Sequence, residues 1–123
     1  RLLYAVSDKG KIFHFRLNLE GSKIMAMEPV YAASLGGNEG KASHHRLDAE
    51  GLTVLNASNG KSNDTELVVV AEGVAPRIIR FNPSGAMLGE IPAPPPLDEP
   101  GNYRGSNKAL ESVTYNEKSL VSG

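Results

Sequence analysis

Two stretches of this chain set a carboxylate beside a small residue, just ahead of strand-forming residues. The first is "LDAEGLTV" (Leu47 to Val54), and the second, "LESVTY" (Leu110 to Tyr115), carries its acid sixty-one residues later (111 − 50). Two further acids, Asp8 and Glu72, stand at the far end of strand-forming runs, sixty-four residues apart (72 − 8). Carboxylates gathered in one place repel, and a buried one without a partner is costly. A cation relieves both problems. Oxygen-only ligands from β-turns suit a hard ion, which favours Ca²⁺ over zinc. Asp8, Glu50, Glu72 and Glu111 are the candidate metal ligands if the fold brings them together.

Bulk properties narrow the setting. At 123 residues the chain falls in the range of one domain with a modest core. It is 40% hydrophobic and 22% charged, the balance of an ordinary globular protein. A net charge of −1 argues against a nucleic-acid binder, which presents a basic surface. No apolar run approaches the roughly 20 residues that span a bilayer. Cysteine is absent, which removes disulfides, thiolate metal sites and cysteine nucleophiles together. The chain opens on Arg1 without a signal-like stretch and reads as a processed product or as part of a longer protein.

The elements that must position the acids read as strands. Leu2 to Val6 is β-prone and stops at the turn Ser7-Asp8-Lys9-Gly10. Ile12 to Leu17 alternates, residues 24–35 can form another strand, and Leu52 to Leu55 follows a Gly/Ser-rich stretch. Leu67-Val68-Val69-Val70 is the strongest strand signal. Arg77 to Phe81 follows, then the turn Asn82-Pro83-Ser84-Gly85 and a short strand from Ala86 to Ile91. Pro92 to Asn107 is a Pro/Gly-rich connection, and no stretch holds a helical period.

These strands repeat. "YAVSDKGKIFHFRLNLEG" (Tyr4 to Gly21) aligns with "VVVAEGVAPRIIRFNPSG" (Val68 to Gly85), strand for strand and acid for acid. Four short antiparallel strands per unit, with no helix, is the composition of a β-propeller blade. The expected fold is all-β: a propeller fragment of roughly two four-stranded blades plus the start of a third. Residues 1–123 then form part of a single, incomplete domain. A small sandwich with similar hairpins is the competing reading. In a blade the start of the first strand and the end of the second lie on one face. Glu50 and Glu111 start first strands, and Asp8 and Glu72 end second strands, so all four would ring one mouth of the channel.

The ordered set "VSDKG", "LDAEGLTV", "VVVAEGVAPRIIRFNPSGAMLGEIPAP" and "NKALESVTY" resembles the phytase-like family, known for esterase-like activity of phytase. That family shows an Asp-x-Glu-Gly strand start, a Ser/Ala-Glu-Gly strand end and an Asn-x-x-x-Glu opening of the next blade. Ser112 stands here where the family has glycine, and Ala109-Leu110 where Gly-Phe is common. The resemblance implies a propeller, dependence on a metal and an extracytoplasmic location. Two or three units do not close a propeller, which needs about four blades. The open edges therefore belong to a larger protein or are covered by another chain, and alone the chain is expected to be poorly soluble or partly unfolded.

Other side chains have two readings each. His45 and Arg46, after His44, can serve as a general acid and a phosphate contact beside the metal, or can be exposed loop residues. Arg77 and Lys108, with Arg104, can bind substrate phosphate, or can balance Glu72 and Glu111 by ion pairing. Asn56-Ala57-Ser58 and Asn63-Asp64-Thr65 are sequons that matter only in a eukaryotic secretory setting. No Gly-x-Ser-x-Gly elbow occurs, so a serine esterase mechanism has no support. Two function classes stay open. One is a Ca²⁺-dependent hydrolase of phosphorylated or ester small molecules. The other is a non-catalytic binding or assembly module whose partner is a protein or the remainder of the propeller.

Overall fold

The strand-forming runs between Leu2 and Ile91 form strands in the computed structural model, which describes residues 1–36, 47–57, 63–73, 75–99 and 110–115, whereas Leu110–Tyr115 forms none. Seven strands follow in order: β1 (Leu2–Ser7), β2 (Lys11–Glu20), β3 (Lys23–Ser34), β4 (Asp48–Leu55), β5 (Glu66–Glu72), β6 (Arg77–Phe81) and β7 (Met87–Ile91). They make two antiparallel sheets, one of three strands ordered β1-β2-β3 and one of four ordered β4-β5-β6-β7. Among the described residues there is no helix and no closed barrel. Two meandering sheets of this kind are the layout of successive propeller blades.

The repeat is structural. β5 begins sixty-four residues after β1 (66 − 2), and β7 begins sixty-four after β3 (87 − 23). β1, β2 and β3 thus correspond to β5, β6 and β7, and only the second sheet contains the innermost strand, β4. Among the described residues the first blade has three strands rather than four.

The core lies between the sheets. Ile12 from the first sheet meets Ala49, Leu67, Val69, Ile79 and Phe81 from the second, with Leu35 at its border. Tyr4, Val6, Ala33, Leu47, Leu52 and Val54 pack around this cluster. β5 is buried on both faces: Leu67 and Val69 face the first sheet, while Val68 and Val70 point the other way and are buried too. A strand covered on both sides has no solvent face to alternate with, which explains the unbroken apolar run. On that second side the Glu111–Ser112 backbone crosses Gly51: a Cβ there would stand 2.8 Å from Ser112 Cα and 2.9 Å from Val70 Cγ2.

One turn joins the two sheets by polar contacts. Asn82 to Gly85 closes with Gly85 N–H donating to Asn82 O at 3.0 Å, and Asn82 Oδ1 accepts from Ala86 N–H at 2.9 Å and from Ser84 Oγ at 2.7 Å. The outward carbonyls of this turn accept from the first sheet and its end. His14 Nε2 donates to Pro83 O at 2.6 Å, Tyr31 O–H to Ser84 O at 2.9 Å and Gly36 N–H to Gly85 O at 2.8 Å. The His14 ring sits between Tyr4, edge-on at 4.7 Å, and Tyr31, also at 4.7 Å, so its bond to the turn is held on both sides.

β3 is the long outer strand and is exposed along nearly its whole length. It pairs with β2 through two irregularities that leave Met25 and Val30 out of register, and it carries Pro29. Bulges and proline are the devices that make an edge strand a poor template for further pairing.

Replacing Gly51 by alanine overpacks the contact with Val70 and the Glu111–Ser112 backbone. Chemical denaturation followed by circular dichroism should show a loss of about 1–3 kcal/mol. An unchanged midpoint would show that Leu110–Tyr115 does not lie on the second sheet.

Candidate metal centre

Antiparallel pairing lays the start of β4 beside the end of β5. Asp48, the first residue of β4, is the direct cross-strand partner of Glu72, the last residue of β5. Like charges at such a position repel. Glu50 would ordinarily oppose a residue of its own, but Ala49 pairs with Ala71 and Gly51 with Val70, so Glu50 is the extra residue of a bulge. A bulge re-aims the side chain it carries. One carboxylate oxygen from each of Asp48, Glu50 and Glu72 falls within 4.8 Å of the other two. Ala49, between the two β4 acids, is buried and anchors the strand end in the core.

The other expected ligands stand further out. Glu111 is exposed, and its charge reaches Glu50. Asp8 lies exposed in the β1–β2 turn, outside the group of three, although Gly10 of the same turn touches the backbone of Leu47 beside Asp48. Asp48 is the acid of this group that the sequence reading did not count. Its signal was only its closeness in sequence, two residues before Glu50; the bulge, not regular alternation, brings the two side chains together.

Arg77 opens β6 and pairs in register with Ala71, next to Glu72. Its guanidinium is engaged elsewhere, with Nε donating to Glu90 Oε1 on β7 at 2.6 Å. Arg80 is held likewise, Nε and Nη2 each donating at 2.8 Å to the two oxygens of Glu66. His45, Arg46 and Lys108, with His44 and Arg104, lie outside the described residues.

Of the three acids, Glu50 feels its neighbours most clearly. The Glu50 carboxyl is pushed above its ordinary value by partial loss of water. Repulsion from Asp48 and Glu72, a hydrogen bond to Asp48 and repulsion from Glu111 add to this. Glu50 is exposed, so solvent screening keeps the effect modest. The Arg pairs work in the opposite sense, and hydrogen bonds from Arg80 and Arg77 hold Glu66 and Glu90 below the usual carboxylate range.

The donor set fits a hard cation. Oxygens around a Ca²⁺ lie roughly 2.4 Å from it and so stand at most roughly 4.8 Å apart, the span that encloses these three oxygens. Asp48, Glu50 and Glu72 would hold such an ion, with the remaining positions of a 6–8-coordinate shell left to other oxygens or water.

The signs of these shifts give a pH test. A raised Glu50 favours the folded state in acid, and this contribution is lost as pH climbs from about 4.5 through its raised value. The lowered Glu66 and Glu90 contribute above their ordinary value and lose it as pH falls through their lowered ones. In a chelator at pH 7, Glu50→Gln should therefore raise the melting free energy by a few tenths of a kcal/mol, with no gain at pH 3.5. Equal gains at both pH values would show that Glu50 feels no neighbouring charge.

Neither curated proteins nor solved structures gave a significant match. The family model described as phytase-like, esterase-like activity of phytase, matches residues 1–122. Nearly the whole chain is covered, so the chain belongs to the phytase-like family.

Proposed function

We propose that this chain forms part of a Ca²⁺-dependent hydrolase acting on phosphorylated or ester small molecules, with the carboxylates at the β4–β5 strand ends as its cation site. The observation that carries the reading is the meeting of Asp48, Glu50 and Glu72 within 4.8 Å at one end of the second sheet. Family membership supplies the esterase-like class of chemistry.

In this reading Asp48 and Glu72 are set by strand register, and Glu50 is delivered by the bulge. Glu111 and Asp8 complete the acidic rim. When bound, Ca²⁺ supplies positive charge that offsets the phosphate and polarises an attacking water. The three acids orient that charge and must be ionised to do so, so Glu50 gives up its proton on binding and affinity rises with pH through the carboxylate range. Arg77 is adjacent in register to Glu72 and becomes a phosphate contact only by exchanging Glu90 for the substrate. Lys108 is proposed for the same role. His45 and Arg46 directly precede Leu47-Asp48 in the chain, which supports their assignment as acid and anion contact. The domain is proposed as one propeller over residues 1–123 and further blades. An extracytoplasmic setting, where Ca²⁺ is plentiful, suits it.

A second reading has an observation of its own. Arg77 and Arg80 are both bound to acids within their own sheet, which leaves them structural in the state described. A non-catalytic propeller module, rigidified by the cation, accounts for that arrangement.

Glu72→Gln separates the two. For the hydrolase, Ca²⁺ affinity measured by calorimetry should fall at least roughly tenfold, and turnover of a phosphomonoester should fall with it. Lost Ca²⁺ binding with unchanged turnover would overturn the hydrolase reading and favour the module. Unchanged Ca²⁺ affinity would remove the cation site itself.

A further inference from the structure

The β4–β5 ladder ends at the pair Asp48–Glu72, where two like charges stand side by side. Repulsion therefore acts on a strand end, with no further pair beyond it to hold the register. The restraint comes from the first sheet. Leu47, the residue before Asp48, lies against Gly10 of the β1–β2 turn. A Cβ at Gly10 would stand 2.9 Å from Leu47 O, 3.3 Å from Leu47 Cβ and 3.4 Å from Leu47 N. Gly10 is buried, and its φ of +67° is a left-handed backbone that favours glycine.

Gly10 is itself held on two sides. Its N–H donates to Ser7 O at 2.9 Å, which closes the turn, and its carbonyl accepts from Leu35 N–H at 2.8 Å. Leu35 belongs to the core, and Leu47 packs against that core. The turn cannot draw back from Leu47 without breaking a backbone bond and opening the core. At the other end of the bulge, Gly51 lies against the Glu111–Ser112 backbone. Asp48 and Glu50 thus stand between two close contacts, each made at a glycine.

We propose that Gly10 is a positioning residue for the acids of the neighbouring blade. Its bare α-carbon seats Leu47 at the depth that keeps Asp48 beside Glu72. A side chain at position 10 meets the Leu47 carbonyl, and Asp48, the next residue, moves with it. Three carboxylate oxygens that now lie within 4.8 Å of one another are then spread apart. The effect on affinity rests on the Ca²⁺ site proposed for these acids. In this arrangement the first blade sets how tightly the second holds its cation.

The test compares Gly10→Ala and Gly10→Asn with Gly85→Ala in the whole protein. Asparagine accepts the left-handed backbone, so Gly10→Asn keeps the intruding Cβ with less strain and serves if Gly10→Ala does not fold. Gly85 is the control. Its φ is +95° and a Cβ there would stand 3.1 Å from Ser34 O, but it follows β6 at the end away from the acids. In the Gly10 variants Ca²⁺ affinity measured by calorimetry should fall roughly tenfold or more. The cross-strand nuclear Overhauser contact between Asp48 and Glu72, read in a chelator, should weaken with it. Gly85→Ala should lose stability and keep both. Unchanged affinity and contact in Gly10→Asn would overturn the proposal, and so would equal losses in Gly85→Ala. Should the wild type take up no Ca²⁺, the cation reading fails by itself. The Asp48–Glu72 contact then decides: its loss in the Gly10 variants supports the positioning role, and its survival overturns it.

Discussion

The register between β4 and β5 is the constraint on which the site depends. That register sets Asp48 directly against Glu72, a pairing of like charges that disfavours itself. It holds because the same pairing buries Leu67 to Ala71 on both faces. A shift by one residue would turn Leu67 and Val69 away from the core and put Val68 and Val70 in their place. Full burial of a Val or Leu side chain is worth roughly 1.5–3 kcal/mol, whereas an exposed pair of charges is worth well under that. The apolar residues decide the alignment, and the carboxylates are carried along by it.

The bulge at Glu50 adds a third acid to a place that already repels two. In a regular ladder Glu50 would take a cross-strand partner and continue the alternation. As the extra residue it is released from pairing, while buried Ala49 on one side and packed Gly51 on the other keep the strand in place. Gly51 serves two ends here. Its missing side chain admits the Glu111–Ser112 backbone, and this brings Glu111 close enough to raise Glu50 further. Packing and charge are therefore coupled through one residue.

Blade-to-blade geometry rests on different chemistry. The Asn82–Gly85 turn closes on itself through Asn82 and turns three carbonyls toward the first sheet and the segment just past it, where His14, Tyr31 and Gly36 donate to them. Directional bonds of this kind fix an angle between sheets that apolar contact alone leaves loose. The turn was legible from Asn-Pro-Ser-Gly. Its partners were not, because His14 and Tyr31 lie 69 and 53 residues from the carbonyls they meet.

The sequence by itself determined the local class of structure and the repeat. Alternation, turn residues and the unbroken valine run depend on neighbours within a few positions. From Leu2 to Ile91 strands appear where they were read, down to the sixty-four-residue offset, whereas Leu110–Tyr115, read as the start of a further first strand, joins neither sheet. It also marked Glu50, Glu72 and Glu111 as acids at strand ends. Only the tertiary structure decided which acids meet. Asp48 entered the group through cross-strand register, Asp8 stayed outside it, and Arg77 turned to Glu90 on the adjoining strand. These outcomes follow from distances between elements far apart in the chain, which side-chain burial and backbone pairing set together. No short stretch of residues encodes them alone.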